Sequence, residues 1–347
     1  MSASTEPVIL SAAGLTKTYR SPRRLRRDPV EQARPAVDQA SLQLTRGGTL
    51  GVIGESGSGK TTLARCISLL EPVDAGTVVF EGEDITGLRG KALRAHRRRI
   101  QTVFQDPYSS LDPSQTVGSA ITEVLRVHHL GGVQGRAARL KELLDLVGLP
   151  QTAATRRPSD FSGGQRQRVC IARALAAEPS VLIADEAASA LDVSIQAQIL
   201  NLLLFLQTEL QLSMIFISHD LQVVDYVADS MVVMFGGRIV ERSESGSGMT
   251  DLVHPYSRAL AASTPSLHRR SDTARVSDRE SGDGGAARAV GSGALPASGC
   301  AFRLRCPRAT EICVAQDPEL TTVRAGHEVA CHHPVTVNGT QFEGEPG

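Results

Sequence analysis

The sequence predicts an α/β fold built around a parallel sheet, and three stretches carry that expectation. GVIGESGSGKTTLARC (residues 51–66) runs from an apolar strand through a glycine-rich loop into a helix. VLIADE (181–186) and MIFISHD (214–220) are short apolar runs that end in polar residues. Such runs read as buried strands, and α/β sheets bind their ligands beyond the C-terminal ends of the strands.

The loop GESGSGKT, residues 54–61, satisfies G-x-x-x-x-G-K-[ST]. A polyphosphate needs a concave row of backbone N–H groups. Gly54, Gly57 and Gly59 let the chain turn tightly with its amides inward, with Glu55, Ser56 and Ser58 between them. The following helix, with Thr62 in its first turn, aims unpaired N–H groups at the same anion. Lys60 is expected to reach the β- and γ-phosphates, and the Thr61 hydroxyl to ligate Mg²⁺. A Gly/Ser-rich linker can match by chance, but not with a strand before it and a helix after. This is a nucleotide-binding loop.

A length of 347 residues fits about two domains of roughly 150 residues. With 41% hydrophobic and 21% charged residues, the composition is that of a soluble globular protein. Lys+Arg and Asp+Glu balance at 37 each, so nothing global points to nucleic acid. No uninterrupted apolar run approaches the ~18 residues of a membrane span. Residues 1–10 lack the basic region and apolar core of a signal peptide. Cytoplasmic residence is therefore expected, with the six cysteines reduced or metal-bound rather than paired as disulfides.

Residues 8–19 alternate as a strand leading to Tyr19, which either stacks on adenine or packs on the domain edge. Arg23, Arg24, Arg26 and Arg27 mark a solvated loop. Residues 36–54 return to strand-like alternation and enter the phosphate loop. GTVVFEGE (76–83) is a further strand, and basic residues 91–99 form the wet face of a helix. IQTVFQDP (100–107) reads as a strand ending at Gln105, whose amide oxygen suits Mg²⁺ or the attacking water. Residues 116–149 have helical apolar spacing broken at Gly131 and Gly132. In FSGGQRQR (161–168), Ser162, Gly163, Gly164 and Gln165 open a helix and form a second anion site. Asp185 suits Mg²⁺, through water, and Glu186 is placed to polarise a hydrolytic water. Adjacent acids at a strand end also serve as helix caps, but here they follow a complete phosphate loop. SALD (189–192) turns into a helix over 194–210, and His219 joins the strand-end polar groups on the side of a γ-phosphate.

The ordered motifs resemble the nucleotide-binding subunits of ATP-binding-cassette (ABC) transporters over residues 8 to about 242. GESGSGKT matches the phosphate loop, FQDP the glutamine loop and FSGGQ the signature. VLIADE matches the magnesium and glutamate strand, SALD the dimer loop with Asp192, and SHD the histidine switch. The resemblance implies a RecA-like core with an antiparallel β subdomain and a helical subdomain at about 106–178, within a cassette spanning 8–245. It implies that two cassettes pair head to tail, with Ser162, Gly163 and Gln165 facing the partner's ATP, and it assigns Tyr19 to adenine. FQDPYSSLDP, SALDVSIQAQILNLL, HPYSRAL (254–260) and the terminal cysteine pattern look like ATPases of the oligopeptide/dipeptide/nickel importers. Ala187 and Ala188 depart from that family's usual Pro and small or hydroxyl residue, and Phe235-Gly236-Gly237 from its Tyr-Leu-Gly. Neither removes a group needed for metal, phosphate or water.

A His-Pro-Tyr segment (246–263) is followed by a polar stretch, 264–299, expected to be a flexible linker. Residues 300–335 form a module too small for a generous core, in which Cys300, Cys306, Cys313 and Cys331 suggest metal as a staple. Thiolates suit zinc or an iron–sulfur centre, and the spacing lacks the paired knuckles of zinc modules. The resemblance favours one [4Fe–4S] cluster with a structural role. The resulting expectation is an ATP- and Mg²⁺-dependent ATPase on the cytoplasmic face of the cell membrane. Its expected partners are a second cassette, a paralogue, two integral permease subunits and, through them, an extracellular solute-binding protein. The rival is a soluble ABC ATPase acting on nucleic acid or ribosomes, and a non-hydrolysing ATP-binding regulator is opposed by Glu186 and His219.

Overall fold

A computed structural model describes residues 7–19, 34–189, 191–244, 251–263, 295–296 and 298–335. The expected arginine-rich loop and nearly all of the expected linker lie outside the described residues. Alternation in β1 (Val8–Lys17) buries Leu10, Ala12 and Leu15, and β2 (Val37–Thr45) pairs with it antiparallel. The single strand-like stretch expected over 36–54 is two strands in two different sheets. Between β2 and β3 (Thr49–Ile53), Gly47 turns the chain at φ +75°, and a Cβ on Gly48 would sit 2.3 Å from Thr45 Oγ1. That break lets β3 enter the core sheet, where all five of its residues are buried.

The phosphate loop follows and ends in α1 (Lys60–Ile67), whose Leu63, Ala64, Cys66 and Ile67 are buried. β4 (Ala75–Phe80) and β5 (Glu83–Asp84) complete a four-stranded antiparallel sheet in the order β2-β1-β4-β5. α2 (Gly90–Arg99) buries no residue, as its basic face predicts, and leads to β6 (Ile100–Val103). A short helix α3 (Pro107–Ser110), then α4 (Val117–Val127), α5 (Gly132–Leu146) and α6 (Gly163–Leu175) form the helical part. Ile121, Leu125, Leu143, Leu144 and Val147, positions that helical spacing singles out, are buried in their shared core, with Val117 and Val169 beside them.

β7 (Val181–Asp185), α7 (Val193–Leu210), β8 (Ser213–Ser218), α8 (Leu221–Val227), β9 (Ser230–Phe235) and β10 (Arg238–Glu244) complete the core. β6, β7, β8, β3 and β9 run parallel, and β7 and β8 are buried throughout, as a sheet covered on both faces requires. α7 has the length and mean hydropathy, 1.2, of a membrane span. Yet Ile199, Leu203 and Leu206 pack into the core, so a helix with one face on the core accounts for much of that composition.

The C-terminal residues extend this sheet. After α9 (Pro255–Ser263) and α10 (Glu311–Ala315), the hairpin β11 (Thr321–Arg324) and β12 (His327–Val329) adds antiparallel to β10. The sheet thus has eight strands in the order β11-β12-β10-β9-β3-β8-β7-β6. Glu241 of β10 is fully buried. It accepts hydrogen bonds from the amides of Val253 (2.7 Å) and His254 (3.2 Å), and its Oε1 lies 2.7 Å from His327 Nε2. Phe302 packs with Phe235, Val240 and Tyr256, so the small C-terminal region shares a core with the cassette.

Candidate active site

The phosphate loop lies between the C-terminal end of β3 and α1, with its backbone shaped by glycines. Gly59 adopts φ +105°, where a Cβ would meet the Ala36 carbonyl at 2.2 Å, and a Cβ on Gly54 would meet the Met234 carbonyl at 2.4 Å. Gly57, at φ +81°, opens onto free space, the concave side where amides face an anion. Lys60 is 5% exposed. Its ammonium donates to the carbonyls of Gly54 (2.7 Å) and Glu55 (2.9 Å). Burial lowers the Lys60 pKa, against the pull of Glu186, Asp185 and Glu55.

Around this loop a cleft of about 770 Å³ gathers Tyr19, Glu55, Ser56, Gly57, Gly59, Lys60, Thr61, Thr62, Gln105, Glu186 and His219. Glu186 Oε1 lies 3.8 Å from Lys60 Nζ and 3.7 Å from His219 Nδ1. Gln105 Nε2 donates to Ser189 Oγ (3.4 Å), which donates to the Glu186 carbonyl (3.0 Å) and lies 3.5 Å from its Oε2. Glu186 itself sits at φ +48°, a left-handed conformation costly for a residue with a side chain, and such strain clusters at working sites. Its amide is anchored to the Ile217 carbonyl at 2.9 Å, which holds the strained backbone in place. Tyr19, just beyond β1, is half-exposed on the rim, with one face near Lys17.

The oxygen set fits Mg²⁺. Thr61 Oγ1 and Asp185 Oδ1 are 3.4 Å apart, so a hydroxyl that can ligate the ion and a carboxylate that can hold one of its waters lie side by side. Asp185 lines the adjoining groove, which shares Thr61 and Gln105 with the cleft. Burial raises the Asp185 pKa above its ordinary value, opposed by the Thr61 hydrogen bond. With a raised folded-state pKa, the stability from this group is fully present below its unfolded value and lost as pH rises through the folded one. At neutral pH the nucleotide-free fold therefore carries an unfavourable buried anion. Asp185→Asn is expected to raise Tm at pH 7, with a gain that shrinks under acid, and to lose the added Tm that Mg²⁺-ATP gives the wild type. Melting curves at two pH values check this, and a lower Tm at pH 7 would contradict it.

Several sequence-predicted residues lie elsewhere. Ser162, Gly163, Gly164, Gln165 and Asp192 do not line the cleft. Ser162 caps α6 by accepting from the Gln165 amide (3.4 Å) while the Gln165 side chain accepts from the Ser162 amide (3.1 Å). Gly164 packs so tightly on α7 that a Cβ would meet Ile195 at 2.4 Å. Leu260 and Ser263 of α9 also line the cleft; Leu260 ends the HPYSRAL motif, but nothing in that motif points to the nucleotide, and Ser263 lies beyond it.

The four cysteines come together as expected, but not in a metal-binding arrangement. Cys300, Cys306, Cys313 and Cys331 line one cavity of about 10 Å³, together with His332 and His333. That is room for about one water, not a cluster. Among the described residues, no three His, Cys, Asp or Glu side chains are arranged to hold a metal ion. Cys331 Sγ instead accepts from the His333 amide at 3.4 Å, and burial pushes its thiol up to about 12. The [4Fe–4S] cluster is not supported by this arrangement.

The chain matches the ABC transporter family over residues 37–189 and the oligopeptide/dipeptide transporter C-terminal region over residues 240–313. A putative peptide import ATP-binding protein of Brucella ovis is 44% identical over 332 residues, covering 94% of this chain and 98% of that protein. A probable peptide ABC transporter ATP-binding protein of Sinorhizobium fredii is 49% identical over 297 residues, 86% of this chain and 82% of that protein. The post-hydrolysis dimer of the ATP-binding cassette MJ0796, bound to ADP and Pi, matches with a TM-score of 0.59 at 27% identity, covering 68% of this chain and 98% of that one. The structure of cbiO1 from Clostridium perfringens, part of the ABC transporter complex cbiONQ, matches with a TM-score of 0.59 at 26% identity, covering 69% and 89%. A nucleotide cleft of this construction, in a chain so similar to those relatives along nearly its whole length, places the protein in the ABC transporter family, as an ATP-binding subunit that hydrolyses ATP.

Proposed function

We propose that the chain powers import of oligopeptides or dipeptides, or of a related small solute such as nickel, through a membrane ABC transporter. The observation that supports the mechanism is the convergence of Lys60 and His219 on one carboxylate oxygen of Glu186, which lines the cleft. The solute class rests on the names of the relatives and on the match over residues 240–313.

In this reading Tyr19 stacks on adenine, and the amides of the loop from Gly54 to Thr62 hold the phosphates while Lys60 neutralises them. Thr61 and Gln105, with Asp185 through water, would hold Mg²⁺, which would supply positive charge at the β- and γ-phosphates. Glu186 orients the attacking water and draws on its proton, and His219 steadies the γ-phosphate. Phosphoryl transfer asks a protein for positioning and charge stabilisation, and this cleft offers both. Ser162, Gly163, Gly164, Gln165 and Asp192 serve a nucleotide held by a second cassette, a paralogue in our proposal. Two permease subunits and an extracellular solute-binding protein complete the assembly, with this chain at the cytoplasmic face of the membrane.

Capture of the tagged chain from detergent-solubilised membranes of its host tests this reading. Integral membrane subunits are expected to co-purify, and peptide added with the solute-binding protein is expected to stimulate ATP hydrolysis. Recovery of ribosomes or nucleic acid without membrane subunits would favour the soluble rival instead.

A further inference from the structure

The phosphate loop is gripped by two side chains from far along the chain. Tyr256, at the start of α9, is fully buried, with its ring centroid 4.6 Å from that of Phe235 and 5.4 Å from that of Phe302. Its phenol oxygen accepts a hydrogen bond from the Glu55 amide at 2.8 Å. Arg305, one residue before Cys306, clasps the Glu55 carboxylate with two hydrogen bonds of 2.7 and 2.8 Å. The Arg305 guanidinium also lies 5.5 Å from the Phe302 ring and 5.7 Å from the Phe235 ring. The Arg305 hydrogen bonds hold the Glu55 carboxyl below its usual value. The Glu55 carbonyl in turn accepts from Lys60. The amide, side chain and carbonyl of Glu55 are thus each committed, two of them to the C-terminal part of the chain.

We propose that Tyr256 and Arg305 are positioning residues for ATP, fixing Glu55 and through it Lys60, so that nucleotide affinity depends on the C-terminal region. This rests on the reading of residues 54–61 as the ATP loop. Without the phenol oxygen, the part-buried Glu55 amide loses its partner beside the Tyr256 ring, and the loop is freed to shift. The Arg305 pair is more than a third exposed, so solvent weakens it, although two-pronged geometry is the strongest form such a pair takes. Tyr256 therefore has the larger effect. A region that merely buried surface would alter stability alone.

The test uses the full chain in its assembled complex, with ATP titrated for KM and kcat and a fluorescent ATP analogue for Kd. Tyr256→Phe is expected to raise KM and Kd about 5- to 30-fold with a smaller change in kcat. Arg305→Ala is expected to raise them about 2- to 5-fold, and Arg305→Lys to recover part of that loss. In a Glu55→Ala background, Arg305→Ala is expected to have no further effect, because both act through one contact. Should Tyr256→Phe fold poorly, the surface Arg305 and Glu55 variants carry the test. Unchanged KM and Kd with a lowered Tm would overturn the proposal, as would additive Glu55 and Arg305 effects. Lys60→Ala is measured alongside. If it alone loses ATP binding, positioning by the C-terminal region is wrong; if it binds ATP normally, the ATP-loop reading itself is wrong.

Discussion

Replacing Glu186 with Gln leaves ATP binding intact and slows hydrolysis by ~10²–10⁴, the usual contribution of a positioned general base. The substitution keeps the volume and the hydrogen-bonding reach of the side chain, so the contacts along Gln105 and Ser189 persist. It removes the negative charge that lies 3.8 Å from Lys60 and 3.7 Å from His219, and with it the ability to draw a proton from water. Lys60 then faces the phosphates with less competition, so ATP affinity is held or improved. The variant should trap ATP and hold two cassettes together. Single-turnover hydrolysis in the assembled complex checks this, and a rate near that of the wild type would remove Glu186 from its assigned role.

Separating the two cassettes lowers turnover per chain by ~10²-fold or more, the scale of loss when one set of preorganised donors is taken from a developing charge. Ser162 caps α6, and Ser162 to Gln165 do not line the cleft of their own chain. The tight seat of Gly164 on Ile195 fixes this helix start against α7. Rotating it toward its own cleft would break that packing. The proposed completion by a second cassette requires no such rotation.

Residues that act as neighbours in sequence were the legible ones. The phosphate loop is contiguous, and Asp185 and Glu186 follow a fully buried strand, so motif and environment coincide in both. Gln105 and His219 could be placed at strand ends, and the cleft brings them to Glu186 through contacts that the motifs do not specify. The division between β2 and β3 was missed because alternation continues across the turn, and only the backbone of Gly47 and the crowding at Gly48 reveal it. β12 joins β10 across 86 residues, and Arg305 reaches Glu55 across 250, distances over which local pattern carries no pairing information. Cysteine spacing shows that four thiols gather near the end of the chain, but ligation depends on how their side chains face one cavity. The left-handed backbone of Glu186 and its anchoring to Ile217 are likewise not readable from the identity of the residue.

The most direct test of a composite ATP site is turnover per chain measured across a dilution series, with Mg²⁺-ATP saturating and the partner cassette supplied at equal concentration. The account predicts that specific activity falls as the chains separate and returns when they are concentrated again, with Ser162→Arg in this chain depressing the rate at the site it faces. Constant specific activity down to concentrations at which sedimentation shows only single chains would contradict it.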